Sequence, residues 1–200
     1  MTLETSSTRI RIDASFAVLI CMMLIFCQKR IVLISLFSSL CHESGHLAAM
    51  YCFGDVPERV TFSAFGMRID RKNGILSYKS EAVIAMGGII VNTFISIICF
   101  LVYAFVKNDF IIQTAVVNIF IALINMIPVG MLDFARAVGS CLLMKYDIKR
   151  SQKISDALSV CSLVFFILFS VFYNVFIKVN ISLIAVTAYL LTSYRNGVRI

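Results

Sequence analysis

Two histidines stand four residues apart in Cys41-His42-Glu43-Ser44-Gly45-His46-Leu47, and they are the only histidines in the chain. On a helix, residues four apart share a face, so both imidazoles can turn to one ion. Glu43 sits one step round, within reach of a water held by that ion. Two neutral imidazoles and a carboxylate base suit zinc hydrolysis: the metal lowers the pKa of its water, and the carboxylate shuttles the proton. The plainer reading is polar residues packed at a helix interface. Against it, the motif interrupts a long apolar stretch, residues 31–53. Ionisable groups at membrane depth are costly and point to function.

Two histidines do not complete such a site, because catalytic zinc usually takes three protein ligands. With no third histidine, the remaining ligand is an acid or a cysteine. Asp133 is the best placed: it follows an apolar run broken by Pro128 and Gly130, and unwound backbone there can bring its carboxylate to the histidine helix. A local pairing with Arg136, three residues on, is the competing role. Cys41 adjoins His42, but helix neighbours point about 100° apart. Asn92 and Asn125 are the polar residues best placed to aim inward, either as hydrogen-bond donors to developing negative charge or, for Asn92, as a tie between helices.

The elements that must position these groups follow from composition. Of 200 residues, 60% are hydrophobic and 14% charged, a balance that excludes an ordinary soluble domain and predicts an all-α, multi-spanning membrane protein built as a single domain over residues 1–200. Apolar runs predict six spans, at about 14–27, 31–53, 81–106, 110–127, 158–177 and 179–193. The first reads as a retained span, since no small-residue cleavage site follows it. Residues 60–79 differ in kind. Apolar and polar residues alternate, and Asn73-Gly74 is a hairpin signal. They predict a small membrane-associated β-hairpin element just after the metal helix, with an edge to which an extended substrate could add. Gly87 and Gly88 allow close approach of another helix. The seven cysteines form no C-x-x-C pair and read as buried free thiols.

With six spans, fourteen lysines and arginines fall on one side and four on the other. The positive-inside rule puts both termini and the β-element in the cytoplasm. The net charge of +7 is then met by topology and anionic lipid, and no nucleic-acid partner is required.

These residues together resemble the site-2 protease family of intramembrane zinc metalloproteases. His42-Glu43-Ser44-Gly45-His46 matches H-E-x-x-H, and Asn125 to Asp133 matches N-x-x-P-x-x-x-L-D. The run from Gly88 to Asn92 resembles the family's G-P-x-x-N, and Arg59, Val60, Phe65 and Gly66 resemble its strand after the metal helix. The resemblance covers residues 10–195. It implies one Zn2+ per chain on His42, His46 and Asp133, with Glu43 as general base. It also implies Asn125 facing substrate, with Asn92, Phe65 and Gly66 as further substrate or oxyanion contacts. The six-span layout resembles the sporulation subfamily, which cleaves a membrane-associated sigma-factor precursor in bacterial cell membranes. Expected partners are a membrane-associated protein substrate, the bilayer and an inhibitory or activating membrane protein. No regulatory cystathionine-synthase-like domain is expected after span six. The chain departs from the pattern at Phe134-Ala135, Ile89 and Met131, which touch helix packing and the approach to Asp133. The alternative function is a weak or inactive zinc-bearing scaffold that binds transmembrane partners; a transporter is a weaker option, for want of inverted repeats.

Overall fold

The computed structural model describes residues 2–5, 8–26, 28–63, 66–71 and 77–197. Its elements are β1 (Thr2–Thr5), β2 (Thr8–Ile12), α1 (Ala14–Phe26), α2 (Lys29–Cys52), β3 (Pro57–Ser63), β4 (Gly66–Arg71), α3 (Tyr78–Val106), α4 (Asp109–Asn125), α5 (Asp133–Leu143), α6 (Ile148–Phe176) and α7 (Ile181–Gly197). The chain is an α-helical membrane protein with a small β-element. Three helices, α2, α3 and α6, are long and apolar enough to cross a bilayer, and α1, α4 and α7 are shorter apolar helices.

The polarity is inverted relative to a soluble protein. Large apolar side chains lie on the outside: Phe94, Leu101 and Phe105 on α3, and Phe165, Phe172 and Phe176 on α6. Fully buried positions include Ser38, Asn92, Ser96 and Asn118. Lipid tails compete for apolar side chains as well as a protein core does, so helices associate through close packing and hydrogen bonds. Two such bonds are seen here: the Asn118 amide donates to Ser38 Oγ at 2.9 Å, and Ser96 Oγ donates to the Ala115 carbonyl at 2.9 Å.

The centre of the bundle is α3, which packs on α2, α4 and α5. Its start is fixed by a capping box: Ser77 Oγ accepts from the Ser80 N–H and Ser80 Oγ accepts from the Ser77 N–H, both at 3.1 Å. Its crossing with α2 is fixed by glycine. A Cβ on Gly87 would meet the Gly45 carbonyl, and one on Gly45 would meet the Gly87 carbonyl, at distances no real side chain tolerates.

The sheet is larger than the sequence predicts. It has four strands in the order β1-β2-β3-β4. The N-terminal segment, where no strand is expected from the sequence, forms a hairpin whose second strand pairs parallel with β3, Ile10 opposite Val60. That pairing joins strands some fifty residues apart, beyond any local signal. The expected hairpin turn at Asn73-Gly74 lies outside the described residues. The described reversal comes earlier, between Ser63 and Gly66, which face each other across β3 and β4. Tyr78 and Lys79, expected in the β-element, open α3, because the serine cap starts the helix there. Two further differences concern helices: α5 is a separate short helix, and α6 begins ten residues before its apolar run.

A leucine at Gly87 should force α2 and α3 apart. The detergent-solubilised variant should lose about 1–3 kcal/mol of stability, or fail to fold. Gly139→Ala is the control, since a Cβ there meets nothing within 4 Å, and it should match or slightly exceed the parent. Thermal unfolding of the two variants checks this; equal midpoints would refute the glycine crossing.

Candidate metal centre

His42 and His46 lie in α2, one helical turn apart, with Gly45 between them against α3. Asp133 arrives from a different part of the chain. After α4 ends at Asn125, the chain turns through Pro128 and Gly130; Gly130 has φ +58°, and a Cβ there would run into the backbone of Ser193. The Met131 N–H donates to Ser193 Oγ at 3.2 Å, and Val129 and Leu132 are buried with Leu163 and Leu190. The broken segment is thus pinned to α6 and α7. Leu132 is extended, and Asp133 opens α5.

The result is one buried point. Asp133 Oδ2 lies 2.8 Å from His42 Nε2 and 3.1 Å from His46 Nε2, and the two Nε2 atoms are 3.4 Å apart. All three residues are at most 7% exposed. Asp133 Oδ1 is 3.8 Å from Arg136 Nη1, so the competing local pairing exists alongside the long-range one and uses the other oxygen.

The residues fit a divalent metal. His46 Nδ1 is 2.8 Å from the Ile84 carbonyl. A carbonyl only accepts, so Nδ1 carries the proton and the neutral ring presents a bare lone pair at Nε2. That lone pair faces a carboxylate oxygen, and the contact is repulsive unless a proton or a metal ion lies between them. The edges of a tetrahedron about zinc with bonds of about 2.0–2.1 Å are roughly 3.3–3.4 Å; the observed triangle, with sides of 2.8, 3.1 and 3.4 Å, is of this kind but tighter. Among the described residues these are the His, Cys, Asp or Glu side chains whose ligand atoms converge in this way; Cys41 does not join them.

Glycine also shapes the site. A Cβ on Gly88 would lie 2.6 Å from His46 Nε2 and 2.7 Å from His42 Nε2, so α3 presents bare backbone to the two imidazoles. The sequence reading assigns this glycine to helix approach; its contact with the ligands needs the fold. Glu43, half-buried, is within electrostatic reach of His46, and Tyr189 on α7 is within reach of both Asp133 and Glu43. No motif marks Tyr189 in the sequence. Ile84 acts through its carbonyl, which carries no sequence signal at all.

The other expected site residues are not brought into hydrogen bonds with this cluster. Asn125 ends α4 and donates to the Ile121 carbonyl of its own helix at 3.0 Å. Asn92 is fully buried one turn beyond Gly88, and neither amide atom has a hydrogen-bond partner among the described residues. Gly66 opens β4, and Phe65 lies outside the described residues.

No protein-family model matches the sequence, and no curated protein matches it. The fold does have a likeness among solved structures. It superposes on a site-2 protease from Methanocaldococcus jannaschii with a TM-score of 0.70 over 100% of this chain and 95% of that one, at 20% sequence identity. The chain therefore has the site-2 protease fold, the fold of an intramembrane protease.

Gly88→Ala should weaken metal binding, on the order of tenfold or more, while leaving the helices intact. Asp133→Ala should lower metal stoichiometry. Chelator competition and elemental analysis of the purified variants test both; unchanged affinity at Gly88 together with unchanged stoichiometry at Asp133 would remove the site.

Proposed function

We propose that the protein is an intramembrane zinc endopeptidase that cleaves a membrane-associated protein in or near a transmembrane segment. The observation that carries this reading is the meeting of His42, His46 and Asp133 at one buried point within a site-2 protease fold. In this reading the three residues hold one Zn2+, and α1, α4 and α7 join the three long helices as further membrane passes. Both termini face the cytoplasm of a bacterial cell, following the asymmetry of lysine and arginine.

When bound, zinc would supply Lewis acidity toward the scissile carbonyl and toward water. The chain's own residues do the rest. The Ile84 carbonyl orients His46, and Gly88 leaves room for both rings. Glu43 takes a proton from the attacking water and returns it to the leaving amine. A substrate helix must first unwind, because its backbone is self-bonded; the β-element offers main-chain hydrogen bonds to the extended segment. Asn125, Asn92, Phe65 and Gly66 are the proposed substrate or oxyanion contacts, and the two asparagines would act after substrate draws them from their resting positions. The finer substrate class, a sigma-factor precursor or anti-sigma factor as in the sporulation subfamily, rests on the sequence resemblance.

Glu43→Gln tests the reaction. It preserves shape and leaves the ligands untouched, so metal content should stay at the parent level while cleavage of a membrane-embedded substrate falls at least about a hundredfold. Removing metal with a chelator should abolish cleavage, and added zinc should restore it. A Glu43→Gln protein that cuts as fast as the parent would remove the base; a parent that holds zinc and cuts no transmembrane substrate would favour the scaffold alternative.

A further inference from the structure

A second feature of the bundle lies outside the metal centre and serves none of the steps above. Between α3 and α5 runs a furrow with a cavity volume of about 480 Å³, bounded from Ala82 to Ile90 on α3 and from Phe134 to Lys145 on α5. Every lining side chain but one is apolar or a thiol; the exception is Lys145.

The direction of α5 follows from its contacts. Its first residue, Asp133, meets the same imidazoles that Gly88 meets, so α5 starts near the Ile90 end of the lined part of α3. The furrow uses no residue of α3 beyond Ile90, so α5 runs back toward the start of α3. At about 1.5 Å per residue, α5 then ends at Leu143 close to the level of Lys79, and Lys145 follows in the turn after it. At 100° per residue, Lys79 falls in the middle of the stripe formed by Ala82, Val83, Met86 and Ile90, while Glu81 points to the opposite side. Lys79 and Lys145 are both exposed. Two cations therefore stand at one end of an apolar slot, and the other end reaches Phe134, next to a metal ligand.

We propose that this furrow binds an anionic phospholipid, with its phosphate between Lys79 and Lys145 and one acyl chain lying along the slot to Phe134. The chemistry matches an amphiphile with one anionic head and an apolar tail. A peptide strand lying in the slot would leave its amides without partners, which the membrane interior penalises heavily. A free phosphate would use the cations and leave the slot unexplained. Basic residues at the ends of transmembrane helices recognise anionic headgroups in this manner, each cation contributing on the order of fivefold in affinity. Because Asp133 and Phe134 are adjacent, the bound chain would brace the helix that carries the third metal ligand. This inference needs the membrane fold and the furrow; it does not depend on peptidase activity.

The test uses the full chain in nanodiscs of mixed zwitterionic and anionic phospholipid, scored by native mass spectrometry of the released protein for retained lipid. The parent should retain anionic lipid in preference to zwitterionic lipid. Lys79→Glu with Lys145→Glu should reduce that preference by roughly 25-fold or more. Val83→Trp should displace the chain, and this variant is safe for folding because Val83 is 43% exposed. Metal content, unchanged in all variants, shows that the bundle is intact. Retention independent of headgroup charge would overturn the proposal. So would a Val83→Trp protein that holds lipid as the parent does, a retained mass belonging to a peptide, or inorganic phosphate alone saturating the site.

Discussion

Three polar atoms from two remote segments lie within 3.4 Å of one another in the interior of a membrane protein. Two of them are ring nitrogens and one is a carboxylate oxygen. In a low-dielectric interior this arrangement is costly unless a positive charge sits among them, and a metal ion supplies it without a proton. The Ile84 carbonyl sharpens the requirement by claiming the one proton of neutral His46 at Nδ1. The rest of the bundle can be understood as what is needed to keep these atoms together.

Two devices do so. The first is a stretch of bare backbone. Gly45 and Gly87 let α2 and α3 touch, and Gly88 places α3 directly under the rings. A side chain on Gly45 or Gly87 would press on the facing backbone, and one on Gly88 would press on the rings themselves. The second is a controlled interruption. Pro128 and Gly130 end one helix and allow Asp133 to begin another, while Ser193 and the cluster around Leu132 hold the turn. Irregular backbone at this depth is tolerated because it is buried against protein. Neither device involves strong individual bonds. Both depend on geometry that a single methyl group would spoil.

How much of this the sequence discloses depends on the range of the determining interaction. The helical pair His42 and His46 is a local pattern and is read directly. Asp133, ninety-one residues from His42, is legible because a proline-broken apolar run announces where a side chain could leave its helix. The β-element is legible by alternation, but the reversal between Ser63 and Gly66 is not, since strand register is set by pairing partners. The N-terminal hairpin escapes notice for a related reason: its second strand, β2, is anchored on β3, beyond two helices. Asn125 is a motif position whose amide donates to the Ile121 carbonyl of its own helix, a local bond that the motif does not announce. Tyr189 and the Ile84 carbonyl carry no pattern at all.

The Phe134-Ala135 departure links the metal centre to the lipid-facing surface. Ala135 is buried, and Phe134 is half-buried at the head of the furrow. Glycines at these two positions would leave that end of the slot open and the start of α5 less restrained, since glycine lowers helix stability by about 1 kcal/mol per residue. Phenylalanine and alanine instead give α5 a firm first turn and an apolar wall beside the carboxylate. The Phe134-Ala135 pair thus stiffens the start of the helix that opens on Asp133, beside the furrow.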